Sequence, residues 1–147
     1  MTADAWIFYN TFREYAMDGT IDLDGDTFIM GLVTSSYSPD YENHTVLTDI
    51  TNEVSGSGYA RDTLVATWTR STTTVTFDSD DGVFTASGGS IVARRAFIYD
   101  DTPSSPTDPL VCISLLDNTP DDVTVTDGNS LTVEMHTSGC FTLTGGT

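Results

Sequence analysis

Asp22, Asp24 and Asp26 alternate along Ile21-Asp22-Leu23-Asp24-Gly25-Asp26. That is the spacing with which a calcium loop offers its first three carboxylates. The remainder of such a loop is missing. Thr27 stands where the sixth-position glycine belongs, and Val33 stands where the closing glutamate belongs. The segment then continues as a strand pattern instead of a helix. It reads as an acidic turn, with metal binding through Asp22, Asp24 and Asp26 as the weaker alternative, and no cofactor is expected. His44 and His136 are the two histidines, each alone among polar neighbours. No serine occupies a G-x-S-x-G turn. Gly56 and Gly58 lead into a strand pattern, so they do not form a phosphate cradle before a helix. Carboxylate pairs occur throughout, which prevents any one pair from standing out as general acid and base. Asn43-His44-Thr45 fits a glycosylation acceptor, a tripeptide common by chance. The expectation is a protein that is not an enzyme.

The strongest signal is charge. The chain carries 22 acids against 5 basic residues, a formal net charge of −17. The basic residues are Arg13, Arg61, Arg70, Arg94 and Arg95, and there is no lysine. Such a charge repels itself in dilute buffer and weakens the compact state. At molar salt the Debye length shrinks to about 3 Å and the repulsion is screened. The composition reads as that of a salt-adapted protein. The acids are spread along the chain rather than gathered as in a nucleic-acid mimic. Direct nucleic-acid binding is disfavoured, because phosphate contacts need a basic patch.

The elements that must position these residues follow from periodicity. The chain has 147 residues, which points to one domain, 1–147, large enough to bury a core without a metal or disulfide. No apolar run is long enough to span a membrane, and Met-Thr-Ala-Asp does not open a signal peptide. Asp4 to Met17 reads as a helix capped by Asp4, with Ala5, Phe8, Phe12 and Tyr15 on its apolar stripe and Gly19 as terminator. Phe28–Val33 is apolar on both faces, so it reads as a strand buried on both sides. A long polar excursion through Tyr37, Tyr41, His44 and Asp49 follows, closing at Gly56, Gly58 and Tyr59. Loops of that length are usually functional or disordered, and this one reads as separable from the core.

Beyond it, short strands rich in Val, Thr and aromatics follow at close spacing. They cover Tyr59 to Arg70 and Ser71 to Phe77, with a turn at Arg70-Ser71. They continue at Val83-Phe84, Ile91 to Tyr99 and Leu110 to Leu116. Asp100 to Pro109 reads as an exposed hairpin loop. Val123–Thr126 and Leu131–Met135 flank Asp127-Gly128-Asn129-Ser130 and read as a hairpin. Phe141 to Leu143 ends the fold before a Gly145–Thr147 tail. The fold class is mainly β: an antiparallel β-sandwich or barrel with one short N-terminal helix and a long loop. Because Arg94 and Arg95 place a cation on each face of Ile91–Tyr99, that strand is not expected to be wholly enclosed.

The run from Asp18 to Arg61 resembles a family of small structural proteins from tailed viruses of bacteria and archaea. Asp18-Gly19-Thr20-Ile21-Asp22-Leu23-Asp24, Asp26-Thr27-Phe28, Thr34-Ser35-Ser36-Tyr37, Pro39-Asp40, His44 and Asp49 to Tyr59 carry the likeness, as does Ile91 to Asp100. Arg95 departs from the pattern, where a small residue belongs, and the C-terminal third matches loosely. The resemblance implies a virion part without catalysis. The expected function is a capsid decoration or cementing protein that docks on the major capsid protein and on copies of itself, as a homotrimer, in a virus of halophilic archaea. A tail or spike component contacting the host surface is the alternative, with Tyr37, Tyr41 and Tyr59 stacking on sugars. The implied location is the virion, assembled in the host cytoplasm, without membrane contact. Cys112 and Cys140 then read as free thiols rather than a disulfide, since that compartment is reducing. The candidate partner-binding residues are Tyr37, Tyr41, His44, Asp49, Glu53, Tyr59, Arg61, Arg94 and Arg95. One of Arg94 and Arg95 is expected to clamp the loop through Glu53 or Asp49.

The charge generates the first test. Thermal unfolding followed by circular dichroism is expected to shift to higher temperature as salt rises from dilute buffer to molar concentrations. Equal stability at both ends would remove the salt-adapted reading.

Overall fold

The computed structural model describes residues 4–145. The readings that fall on Met1 to Ala3 and on Gly146 and Thr147 lie outside them. Twelve strands and one helix run in the order β1 (Ile7–Phe8), α1 (Asn10–Asp18), β2 (Phe28–Val33), β3 (Asp62–Thr63), β4 (Ala66–Ser71), β5 (Thr74–Ser79), β6 (Gly82–Thr85), β7 (Ile91–Ala93), β8 (Arg95–Asp100), β9 (Leu110–Leu115), β10 (Val123–Val125), β11 (Ser130–Val133) and β12 (Phe141–Thr144). A short 3-10 turn at Leu47–Asp49 sits in the long loop. The fold is mainly β, antiparallel and sandwich-like. Among the described residues no sheet closes into a barrel. No helix among them is long and apolar enough to cross a membrane.

The central element is a five-stranded sheet ordered β1-β9-β8-β2-β3. Alternation along its inner strands sends side chains to two separate apolar clusters. Phe28, Met30 and Leu32 of β2, with Ala96 and Ile98 of β8, join the larger cluster. Val33, Phe97 and Tyr99, with Leu110 and Ile113 of β9, join the other. A register shift between Ile98 and Tyr99 against β9 takes up the extra residue Val111, so both faces stay filled. The larger cluster is covered by α1 and by three small sheets, β12-β5-β4, β11-β6 and β10-β7. Phe141 of β12 packs edge-on to Phe8 and Phe12 and stacks on Phe77. Gly31 is required in β2, because a Cβ there would overlap the Phe97 ring.

Several sequence expectations change. The helix begins at Asn10, not near Asp4. Ile7 and Phe8 instead pair with Ile113 and Cys112 of β9, since the backbone of an outer sheet strand offers more bonds than a frayed first turn. Gly19 ends the helix in the left-handed region, φ 84°, as expected. The strand expected to start at Tyr59 starts later, and the turn between β4 and β5 lies at Thr72-Thr73. Ile91–Tyr99 is not one strand. It breaks at Arg94, so β7 pairs with β10 while β8 passes into the central sheet. From Ala96 onward β8 is buried on both faces, because the break leaves both arginines at its start. The Asp127–Ser130 turn exists, but β10 and β11 do not pair with each other; they go to β7 and β6. Cys112 and Cys140 are free thiols.

Asp100 ends β8 and is fully buried. Its Oδ1 accepts the Thr102 N–H at 3.0 Å, while its Oδ2 has no donor. Burial, with the Asp26 carboxyl in hydrogen-bonding reach, pushes Asp100 from 3.8 up to about 8. A proton shared with the Asp26 carboxyl would supply the missing donor. The folded form therefore favours the protonated acid. The stabilisation is full below pH 3.8 and is lost as pH rises towards about 8. The melting temperature is expected to fall from pH 5 to pH 9, and Asp100→Asn is expected to flatten that fall and to melt higher than wild type at pH 9. A variant with the wild-type slope would contradict the shared proton.

Candidate functional site

The chain from Thr34 to Arg61 carries most of the candidate binding residues, and it is laid across the central sheet rather than standing free of it. Its first anchor is Tyr37, 1% exposed. The Tyr37 hydroxyl lies 2.9 Å from that of Tyr9 and 2.8 Å from His44 Nδ1. The Asp40 N–H also points at Nδ1, at 3.3 Å. Nδ1 thus accepts, Tyr37 donates to it, and Tyr9 donates to Tyr37. Burial raises the pKa of both phenols, and the Tyr9 donation partly offsets this for Tyr37. The Arg95 guanidinium donates to the Tyr37 carbonyl at 3.2 Å.

The middle of the loop is shaped by two carboxylates. Asp40 accepts the N–H groups of Glu42 and Asn43 and the Asn43 side-chain amide, at 3.1, 3.0 and 2.8 Å. These donors, the Asn43 amide foremost, hold its pKa below the usual carboxylate range. Asp49 accepts the Thr45 and Val46 N–H groups at 2.8 and 3.0 Å, and the Thr45 donation holds its pKa down likewise. The loop is also stitched to the sheet by backbone. Leu47 donates to the Asp108 carbonyl and Leu110 to that of Thr45, at 2.9 and 3.0 Å. Tyr41, Leu47 and Ile50 pack against the second apolar cluster.

The returning limb runs beside β2. Thr34 donates to Asn52 and Val54 to Leu32, at 3.0 and 2.9 Å. Glu53 is gripped by Arg61 through two hydrogen bonds of 2.7 Å, Nε to Oε1 and Nη2 to Oε2. The Tyr59 hydroxyl donates to Glu53 Oε1 at 2.8 Å and accepts the Leu32 N–H at 2.9 Å. Its ring lies parallel to Phe84, centroids 5.9 Å apart. The Arg61 guanidinium sits over the Tyr99 ring at 5.4 Å and donates to its hydroxyl at 3.3 Å. Glu53 foremost raises the Arg61 pKa, and burial foremost raises those of Tyr59 and Tyr99.

The expected clamp through Arg94 or Arg95 is thus replaced. Arg61 holds Glu53, Arg94 pairs with Asp122 at 2.8 Å, and Arg95 binds the loop at a carbonyl instead of an acid. Glu53 lies opposite Val33 in a β-bridge, which places it across β2 from the arginine pair and beside Arg61. Tyr37 and Tyr59 are not exposed sugar platforms; Tyr41 alone of the three stays at the rim. The excursion is not separable, because Tyr37, Tyr41, Leu47 and Ile50 close the second cluster while Val54 and Tyr59 join the larger one. Tyr9 and Tyr99 were missed from sequence, although for Tyr99 a lone tyrosine in a largely apolar strand signals a hydroxyl that needs a partner.

The acids of the Ile21–Asp26 turn serve the backbone. Asp22 accepts the N–H groups of Asp24 and Gly25, and Asp26 accepts that of Asp22. Among the described residues no three His, Cys, Asp or Glu side chains converge as metal ligands. An open polar depression of about 710 Å³ is lined by Asn10, Ser38, Pro39, Asp40, Tyr41, Glu42 and His44. No protein family, characterised protein or solved structure was found to match this chain.

Arg61→Lys and Glu53→Gln are each expected to lower stability by about 1 kcal/mol, with coupling of similar size in a double-mutant cycle, since the pair is bidentate but about a third exposed at its arginine. Additive losses would show that the two side chains act independently.

Proposed function

We propose that this protein is a structural part of a tailed-virus particle, a capsid decoration protein that docks on the major capsid protein in a virus of salt-loving archaea. The observation that carries this reading is the immobilised loop. A segment of this length, tied at Tyr37, Asp49, Glu53 and Arg61, presents a preformed polar surface whose ordering entropy is already spent before any partner arrives. Its outer rim includes Ser38, Tyr41 and Glu42 around an open depression, a shape suited to a broad protein surface more than to an enclosed small molecule. The charge of −17 supports solubility at molar salt. In this reading Tyr41 and His44 line the depression, Arg94 ties β7 to Asp122 elsewhere, and the other candidate residues act behind the surface, fixing its shape.

The test is electron cryomicroscopy of particles made in a host that carries this chain with an epitope tag. Many copies spread over the shell are expected. A few copies confined to the tail would favour the host-contacting alternative, which would lean on Tyr41 as its sugar-stacking aromatic. Absence of the tag from purified particles would overturn both.

A further inference from the structure

The sheet β12-β5-β4 differs electrically from the rest of the molecule. Residues 63–77 contain no Asp or Glu, and neither do residues 135–145, in a chain with 22 acids. These two runs supply β4, most of β5 and all of β12. The one charged side chain in them is Arg70, and among the described residues it makes no ion pair or hydrogen bond. β4 is the outermost strand of that sheet. Five of its six residues are exposed, Trp68 to 42%.

The edge of β4 is ready to pair. Phe77 of β5 sends its carbonyl to the Cys140 N–H, towards β12. Its neighbour across the ladder, Trp68, therefore turns its own N–H and C=O away from β5, and so do Ala66 and Arg70 at the same phase. The pairing of β4 with β5 is unbroken from Ala66 to Ser71, without a bulge. β4 holds no proline or acid and Arg70 is its single charge, so it has few of the devices that normally blunt an edge strand.

We propose that β4 is a self-association edge: two copies of this chain pair their β4 strands antiparallel about a two-fold axis, joining two three-stranded sheets into one of six. Charge selects a second copy as the occupant. Two molecules of −17 repel across most of their surfaces, and an edge strand without acids is where they approach at least cost. A basic partner would be drawn to the acidic surfaces instead. The strand is also self-complementary. With Thr69 on the axis, Trp68 of each copy lies opposite Arg70 of the other, which sets a guanidinium against an indole twice and a threonine against a threonine. The proposal does not depend on the particle reading: a monomer would overturn it and leave docking through the loop surface untouched.

The experiment is sedimentation velocity of the full chain in molar salt over a range of concentrations. Wild type is expected to form a dimer with a dissociation constant of roughly micromolar size, as for a small interface. Thr69→Asp puts two like charges at the axis, and Trp68→Thr removes the indole. Each is expected to weaken the dimer at least about tenfold with an unchanged circular dichroism spectrum. Val92→Asp, at an exposed position of β7, is expected to leave it intact. If one variant fails to fold, the other decides. A monomer at all concentrations up to about 0.1 mM, a trimer in place of the dimer, or a dimer indifferent to both β4 variants would overturn the proposal.

Discussion

The fold depends on covering the second face of its central sheet. One face is closed by a helix and three small sheets in the ordinary manner of a layered β domain. The other is closed by irregular chain. Irregular chain can line a core only if its polar backbone is satisfied, and here nearly every turn of it has a named acceptor. Asp40 and Asp49 take up N–H groups within the loop, the bridge at Val33 and Glu53 takes up others, and Asp108 receives Leu47. The bidentate Arg61–Glu53 pair, with Tyr59 and Tyr99 on either side, locks the returning limb. Tyr37 fills the apolar space beneath the outgoing limb, a burial worth on the order of 2 kcal/mol.

Three of the five cations serve this scaffold. Arg61, Arg94 and Arg95 each hold one segment to another: the loop's return to its own root, β7's exit to Asp122, and the loop's start to β8. Arginine suits these places, because a bidentate or forked contact keeps its geometry when salt has removed long-range attraction. At molar salt, screening would relieve the repulsion of the 22 acids without dissolving these short contacts.

Much of the fold was legible in the sequence. The double-sided apolarity of Phe28–Val33 gave the buried strand, and Gly19 gave the helix end. Strand partners were less legible. Arg94 and Arg95 read as faces of one strand, but a break between β7 and β8 changed the alternation, and periodicity carries no sign of such a break. The Asp-Gly-Asn turn did form, yet its flanking strands found other neighbours through long-range packing that local turn chemistry does not see. The clamp was anticipated in kind, an arginine on Glu53, and misplaced in identity, because the bridge that sets Glu53 beside Arg61 joins strands far apart in pattern. The burial of Asp100 left no local mark: an acid at a strand end is ordinarily solvated.

Hydrogen exchange of the native protein in molar salt tests the loop's structural role most directly. The amides of Thr34 and Leu47, each donated to a backbone carbonyl across the loop or sheet, are expected to exchange as slowly as those of β8, since their release requires opening of the second apolar cluster. Exchange at the rate of exposed turns, with β8 still protected, would show that the segment moves independently of the sheet and that the second face is not held by it.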